Sequence, residues 1–215
     1  METSARPVLW LGGAPCAGKS TIARRLGERF ALDVVHIDDT FDACASELDT
    51  ARHPALSGWM AQTWTERWDR PPDVLLAEVV GCYREHLGFV VEQVAKRGGA
   101  GRRTLVEGSA VLPADVAPLL GRRAEAVWLL PTAEFQARHY AQRPWVEGIV
   151  RQCADPGGAF ERWMARDQRF ARWLRREVRD AGLTSISVDD GRGPDEMAQV
   201  VAQHFGLVDT DDGAG

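Results

Sequence analysis

The sequence predicts an α/β fold: a five-stranded parallel sheet with helices on both faces, a helical insert after the second strand and a lid after the fourth. Three observations lead there. A short apolar run at residues 7–11 passes straight into a glycine-rich turn and then a helical pattern. Runs of strand length recur at 33–37, 103–107, 125–130 and 185–188, and segments of helical periodicity separate them. Strands that alternate with helices require crossovers, which are right-handed and coat both faces of a parallel sheet. The 215 residues suffice for one such domain. We assign it to residues 1–208, with 40–72 as a substrate-side insert, 138–170 as the lid region and 209–215 as a disordered tail.

Each element has its own signal. PVLWL at 7–11 reads as a buried strand, followed by GGAPCAGKS and the helical pattern STIARRLGERF. DVVHI at 33–37 is a second β-branched run ending in Asp38 and Asp39, after which the pattern breaks into a polar, tryptophan-rich stretch reaching Pro72. From 73 to 96, apolar residues recur at helical spacing, with Asp73 as N-cap after two prolines and Gly98 past the end. RTLVE and EAVWLL supply two more strands, separated by a turn and a short helical piece at 115–120. Helical patterns resume at 133–143 and 159–181, with Pro144, Pro156, Gly157 and Gly158 marking an irregular or mobile joint between them. SISV at 185–188 is the fifth strand, and 194–205 a closing helix with proline in its first turn.

Composition narrows the function. A formal net charge of -5 argues against broad attraction to nucleic acid or anionic membranes. The N-terminal METSARPVLWLGG holds neither a secretory apolar core nor a spanning helix, so a soluble, cytoplasmic protein with no membrane partner is expected. The 4 cysteines lie far apart with no C-x-x-C pair, which suggests neither a zinc site nor a disulfide framework.

Chemistry concentrates in one run. Gly13-Ala14-Pro15-Cys16-Ala17-Gly18-Lys19-Ser20 matches G-x-x-x-x-G-K-[ST] without a mismatch, between a strand and a helix. Glycines let successive backbone N–H groups curl around phosphate oxygens, and the helix adds the positive end of its dipole. The P-loop NTPase fold follows, with ATP and Mg²⁺ as ligands. Gly13, Ala14, Cys16, Ala17, Gly18 and Thr21 are the expected loop contacts, Lys19 the group reaching the β- and γ-phosphates, and Ser20 a Mg²⁺ ligand.

Carboxylates and arginines complete the candidate set. Asp38 and Asp39 end the second strand beside the loop, where a carboxylate can orient an acceptor hydroxyl or hold the metal; they can equally be a capping pair. Glu107 ends the third strand and is a further candidate base or a ligand of Mg²⁺-bound water, with a purely structural role as the alternative, and Gly108 behind it allows close approach of a ligand or a sharp turn. Arg138 and Arg143 precede Pro144, and Arg151, Arg162, Arg166, Arg169 and Arg172 follow. Most should be solvated or paired with Glu161, Asp167 and Glu177, leaving Arg143 first and Arg138 second as groups for a transferring phosphoryl. Trp59, Trp64 and Trp68, interleaved with Arg67, either hold a ring-bearing small molecule or cap the core.

With these motifs the chain resembles the small P-loop kinases, a group that includes shikimate, gluconate and nucleoside monophosphate kinases and chloramphenicol phosphotransferase. The resemblance spans nearly the whole layout and is specific at GGAPCAGKS. It implies transfer of the γ-phosphoryl group of ATP to a hydroxyl of a metabolite, nucleoside or antibiotic. An acidic motif on Asp38 and perhaps Asp39, lid arginines at Arg138 and Arg143, and an adenine loop near residues 189–193 are likewise carried over from it. An ATP-binding protein that sequesters its ligand is the alternative, and nucleic-acid ends are the weakest acceptor. Monomer and homodimer remain equally open.

Overall fold

The computed structural model describes residues 8–97 and 102–208. Strands β1 (Leu9–Gly13), β2 (Asp33–His36), β3 (Thr104–Glu107), β4 (Ala126–Pro131) and β5 (Thr184–Val188) form one sheet in the order β2-β3-β1-β4-β5. Every neighbouring pair is parallel. The helices, in chain order, are α1 (Lys19–Phe30), α2 (Phe41–Ser46), α3 (Pro54–Met60), α4 (Trp64–Trp68), α5 (Pro72–Arg97) and α6 (Pro113–Val116), then α7 (Ala133–Ala141), α8 (Pro144–Val150), α9 (Pro156–Asp180) and α10 (Pro194–Phe205).

Alternation along the strands divides the core in two. Leu9, Leu11, Leu105, Val127 and Leu129 point to the face covered by α1 and α10. Trp10, Val106, Ala126, Trp128 and Leu130 point to the opposite face, where α5 and α9 pack against each other. Both faces of β1 and β4 are thus buried, which is why those strands read as continuous apolar runs.

The insert is three short helices, α2 to α4, and the lid is α7, α8 and the first half of α9. A separate apolar cluster joins them: Trp68 and Leu75 from the insert side meet Tyr140, Val146 and Trp163 from the lid, with Cys16 of the loop beneath. Where the sequence suggests an irregular joint, the chain forms α8, and α9 starts at Pro156 instead of residue 159. Pro144 and Pro156 sit in first turns, where the missing N–H had no partner to lose, and Asp155 caps α9 by accepting from Gly158 N at 3.0 Å. Pro7, Gly98 and the tail 209–215, with their expected strand start, helix end and disorder, lie outside the described residues. No described helix is long and apolar enough to cross a membrane.

Candidate active site

The loop after β1 is shaped by sterics. Gly13 has φ 142 and lies so close to β4 that a Cβ there would stand 2.2 Å from the Leu129 carbonyl oxygen. Lys19 opens α1 and is buried, its Nζ donating to Ala14 O at 3.0 Å and to Ser109 Oγ at 3.0 Å. Burial lowers its pKa, and the Glu107 and Asp38 carboxylates act against that shift. Gln136 of α7 donates to Pro15 O at 3.0 Å and so ties the lid's base to the loop.

A cavity of about 340 Å³ opens in front of this loop. Gly18, Lys19, Ser20 and Thr21 line one side, and Asp38, Glu107 and Arg143 face them. Asp38 belongs to a 3-10 turn (Ile37–Thr40) that continues β2. Glu107 is 3% exposed and accepts from His36 Nδ1 at 2.5 Å. Gly108 leaves no room for a side chain, since a Cβ there would lie 2.8 Å from Ile37 Cβ. Among the described residues no group of three or more His, Cys, Asp and Glu could hold a metal ion. Ser20 and Asp38, both on this cavity, suit Mg²⁺, which keeps most of its waters and takes one or two protein oxygens beside substrate phosphates.

Past Gly18 and Thr21 the site continues into a second cavity of about 430 Å³, bordered by the 189–193 loop and by the stacked pair Phe135 and His139, 3.9 Å between ring centroids. On the other side, Asp38 and Arg166 also line a third cavity, of about 330 Å³, walled by Trp59, Trp64, Trp68 and Trp163. The two share Tyr83 and Trp145 as well.

Arg166 stands where these two cavities meet. It is 9% exposed and pairs with Asp167, which is 1% exposed. The Nε–H of Arg166 is not aimed at that carboxylate with hydrogen-bond geometry, so the contact is chiefly one of charge. Asp167 also accepts from Tyr140 Oη and from Trp163 Nε1, the latter at 3.2 Å. Burial opposes the charge on Arg166, and Asp167 together with Tyr83 and Tyr140 outweighs it, so the guanidinium stays protonated.

Most of the predicted residues therefore converge. Cys16, Ala17, Gly18, Lys19, Ser20, Thr21, Asp38, Glu107 and Arg143 share the phosphate cavity, Gly13 and Ala14 are buried and do not line it, and Trp59, Trp64 and Trp68 line the aromatic one. Three others do not reach either. Asp39 is exposed and borders neither cavity, because consecutive residues of the 3-10 turn point in different directions. Arg138 is exposed and paired with Asp190. Arg67 lies over the rings of Trp59 and Trp64, 3.8 and 4.5 Å from their centroids, and donates to Trp59 O. From the sequence, Arg166 is expected at the surface, solvated or paired with Glu161, Asp167 or Glu177; it does pair with Asp167, but both are buried, and Ser109, Tyr140 and Trp163 carry no expected role. One signal was available: Ala159, Trp163, Phe170, Leu174 and Val178 mark the buried stripe of α9, and Arg166 and Asp167 fall on it.

No family model matches the chain. A shikimate kinase of Stenotrophomonas maltophilia is 30% identical over 158 residues, which cover 69% of this chain and 73% of that protein. In solved structures, a shikimate kinase from Acinetobacter baumannii in complex with shikimate shares the fold with a TM-score of 0.50 and 16% identity, covering 92% of both chains. A gluconokinase from Sinorhizobium meliloti matches with a TM-score of 0.43 and 15% identity over 94% of this chain and 93% of that one.

Proposed function

This chain belongs to the shikimate kinase family of small P-loop kinases, and on that premise we propose that it moves the γ-phosphoryl group of ATP to a hydroxyl of a small molecule. One observation carries the reading: a phosphate cavity and an apolar cavity meet at Asp38 and Arg166, which line both. An acceptor in the second has its hydroxyl beside the phosphates in the first.

The acceptor oxygen attacks the γ-phosphorus, the bond to the β,γ-bridging oxygen breaks, ADP leaves with the electron pair, and the hydroxyl proton passes to Asp38. Asp38 takes this role in preference to Glu107, whose carboxylate is held by His36, and to Asp39, which faces neither cavity. Lys19, Arg143 and Arg166 place positive charge around the transferring group, and Ser20 with Asp38 would hold Mg²⁺, which neutralises phosphate charge when bound. The 189–193 loop and the Phe135–His139 pair receive the adenine. Positioning and electrostatics supply most of the acceleration in such transfers.

The test is a pair of variants. Lys19→Ala and Asp38→Ala both abolish acceptor-dependent ADP release, while only Lys19→Ala loses ATP-induced thermal stabilisation. Full turnover in Asp38→Ala would remove it from the mechanism and transfer the base to Glu107. ATP stabilisation with no acceptor-dependent turnover in the wild-type protein would favour a sequestering protein.

A further inference from the structure

The cavity beyond Asp38 carries information about what fills it. Five of the chain's 8 tryptophans line it: Trp59, Trp64, Trp68, Trp145 and Trp163. Trp68 of the insert and Trp163 of α9 are stacked at 4.3 Å with their planes 13° apart, and Phe41 meets Trp59 edge-on at 5.9 Å. These rings come from separate segments, so the aromatic lining is assembled by the tertiary fold and does not follow from one helix's need to cover the core.

Its polar groups are few and largely engaged. The charged lining residues are Asp38 and Arg166, and Arg166 is already balanced by the buried Asp167. The neighbouring arginines are committed elsewhere: Arg67 over the outer rings, and Arg162 to Trp68 O at 2.5 Å and to Asp69 and Asp155. His86 gives its Nε2–H to Thr40 Oγ1 at 2.8 Å, the Thr40 hydroxyl itself donating to Ile37 O. A carboxylated polyol entering here would lose its hydration and meet, among the described lining residues, Arg166 as its one cation, whose charge Asp167 already balances. An aromatic ring would gain apolar burial and ring contacts on several sides. At about 330 Å³ the space holds one small molecule.

We propose that the acceptor is an aromatic or fused-ring alcohol, its ring among Trp59, Trp68 and Trp163 and its hydroxyl at the neck beside Asp38, and that small carboxylated polyols are excluded. The assignment rests on the kinase reading above, and the experiment separates the two. Isothermal titration calorimetry of the full chain with ADP present compares phenylethanol, naphthylethanol and tryptophol with shikimate and gluconate. Saturable binding of aromatic alcohols with a negative heat-capacity change, and none of the polyols, is the expected result. Trp59→Leu weakens that binding on the order of tenfold, and Phe41→Ala does so on the order of threefold should Trp59→Leu fail to fold. Shikimate or gluconate binding more tightly than every aromatic alcohol, or no aromatic alcohol binding at all, overturns the proposal. Incubation with ATP and mass analysis then addresses the other reading: aromatic alcohols that bind and gain no phosphate leave the ring site standing and defeat the kinase.

Discussion

Asp167→Ala removes a carboxylate that is 1% exposed and leaves Arg166 without its counter-charge and Tyr140 and Trp163 without their shared acceptor. Breaking a buried ion pair from one side costs about 3–5 kcal/mol, because the remaining charge stays desolvated and unpaired. The two hydrogen-bond donors contribute through the same carboxylate, so their separate costs do not add in full. Arg166 also lines a cavity that water enters, which moderates the penalty. We therefore expect a loss of about 3–4 kcal/mol, equivalent to a fall in Tm of roughly 6–16 °C for a chain of this size. Thermal unfolding followed by circular dichroism at neutral pH measures it. Adding Arg166→Met to Asp167→Ala should restore at least half of the loss, since the uncompensated charge is gone. A fall below about 3 °C would show that Asp167 holds nothing together. No recovery in the double variant would shift the cost to Tyr140 and Trp163.

Further expectations concern pH and the loop. Glu107 raises the pKa of Lys19 against the lowering caused by burial. Glu107→Gln therefore lowers it further, and the alkaline limb of kcat/KM for ATP moves to lower pH; an unmoved or upward-shifted limb contradicts this coupling. Gly13→Ala forces a Cβ to within 2.2 Å of Leu129 O at a φ of 142, and should destabilise by about 3 kcal/mol or more in urea titrations, whereas a neutral effect would mean that β1 and β4 separate easily. Burial lowers the His86 pKa below its usual 6.5, so the unfolded chain binds this proton first. Its contribution to stability is full above that value and is lost as the pH falls through the interval beneath it. His86→Gln should flatten the acid side of the Tm profile, and an identical profile would exclude His86 as a source of acid sensitivity.

The middle of the sheet was legible because β1 and β4 are buried on both sides and so appear as the uninterrupted apolar runs LWL and AVWLL, while the edge strands β2 and β5 are partly exposed and showed through their β-branched residues. The phosphate loop was legible because backbone geometry there demands glycine at fixed spacing. The insert was expected to be helical, but the bounds of its separate helices were not legible, since α2, α3 and α4 hold together through tertiary contacts such as Trp68 on Trp163 and carry too few turns to show a period. The arginines of the helices after β4 were hardest. Arg138 and Arg166 look alike as residues of charged helices, and only the fold decides that one meets Asp190 at the surface while the other is drawn inward by Asp167.

The 25 residues of α9 have a mechanical consequence. Phe170, Leu174 and Val178 anchor its second half under the sheet, while Trp163 and Ala159 in the first half belong to the lid. From Ala159 onward the helix contains neither glycine nor proline, so no hinge is built into it. Opening the site cannot be a swing of this rod. Trp163, Arg166 and Asp167 stand on the same helix that Phe170, Leu174 and Val178 fix to the sheet, with α8 and α4 packed against it. The wall that α9 contributes to both cavities is thus set by the sheet and not by the segments on either side of it.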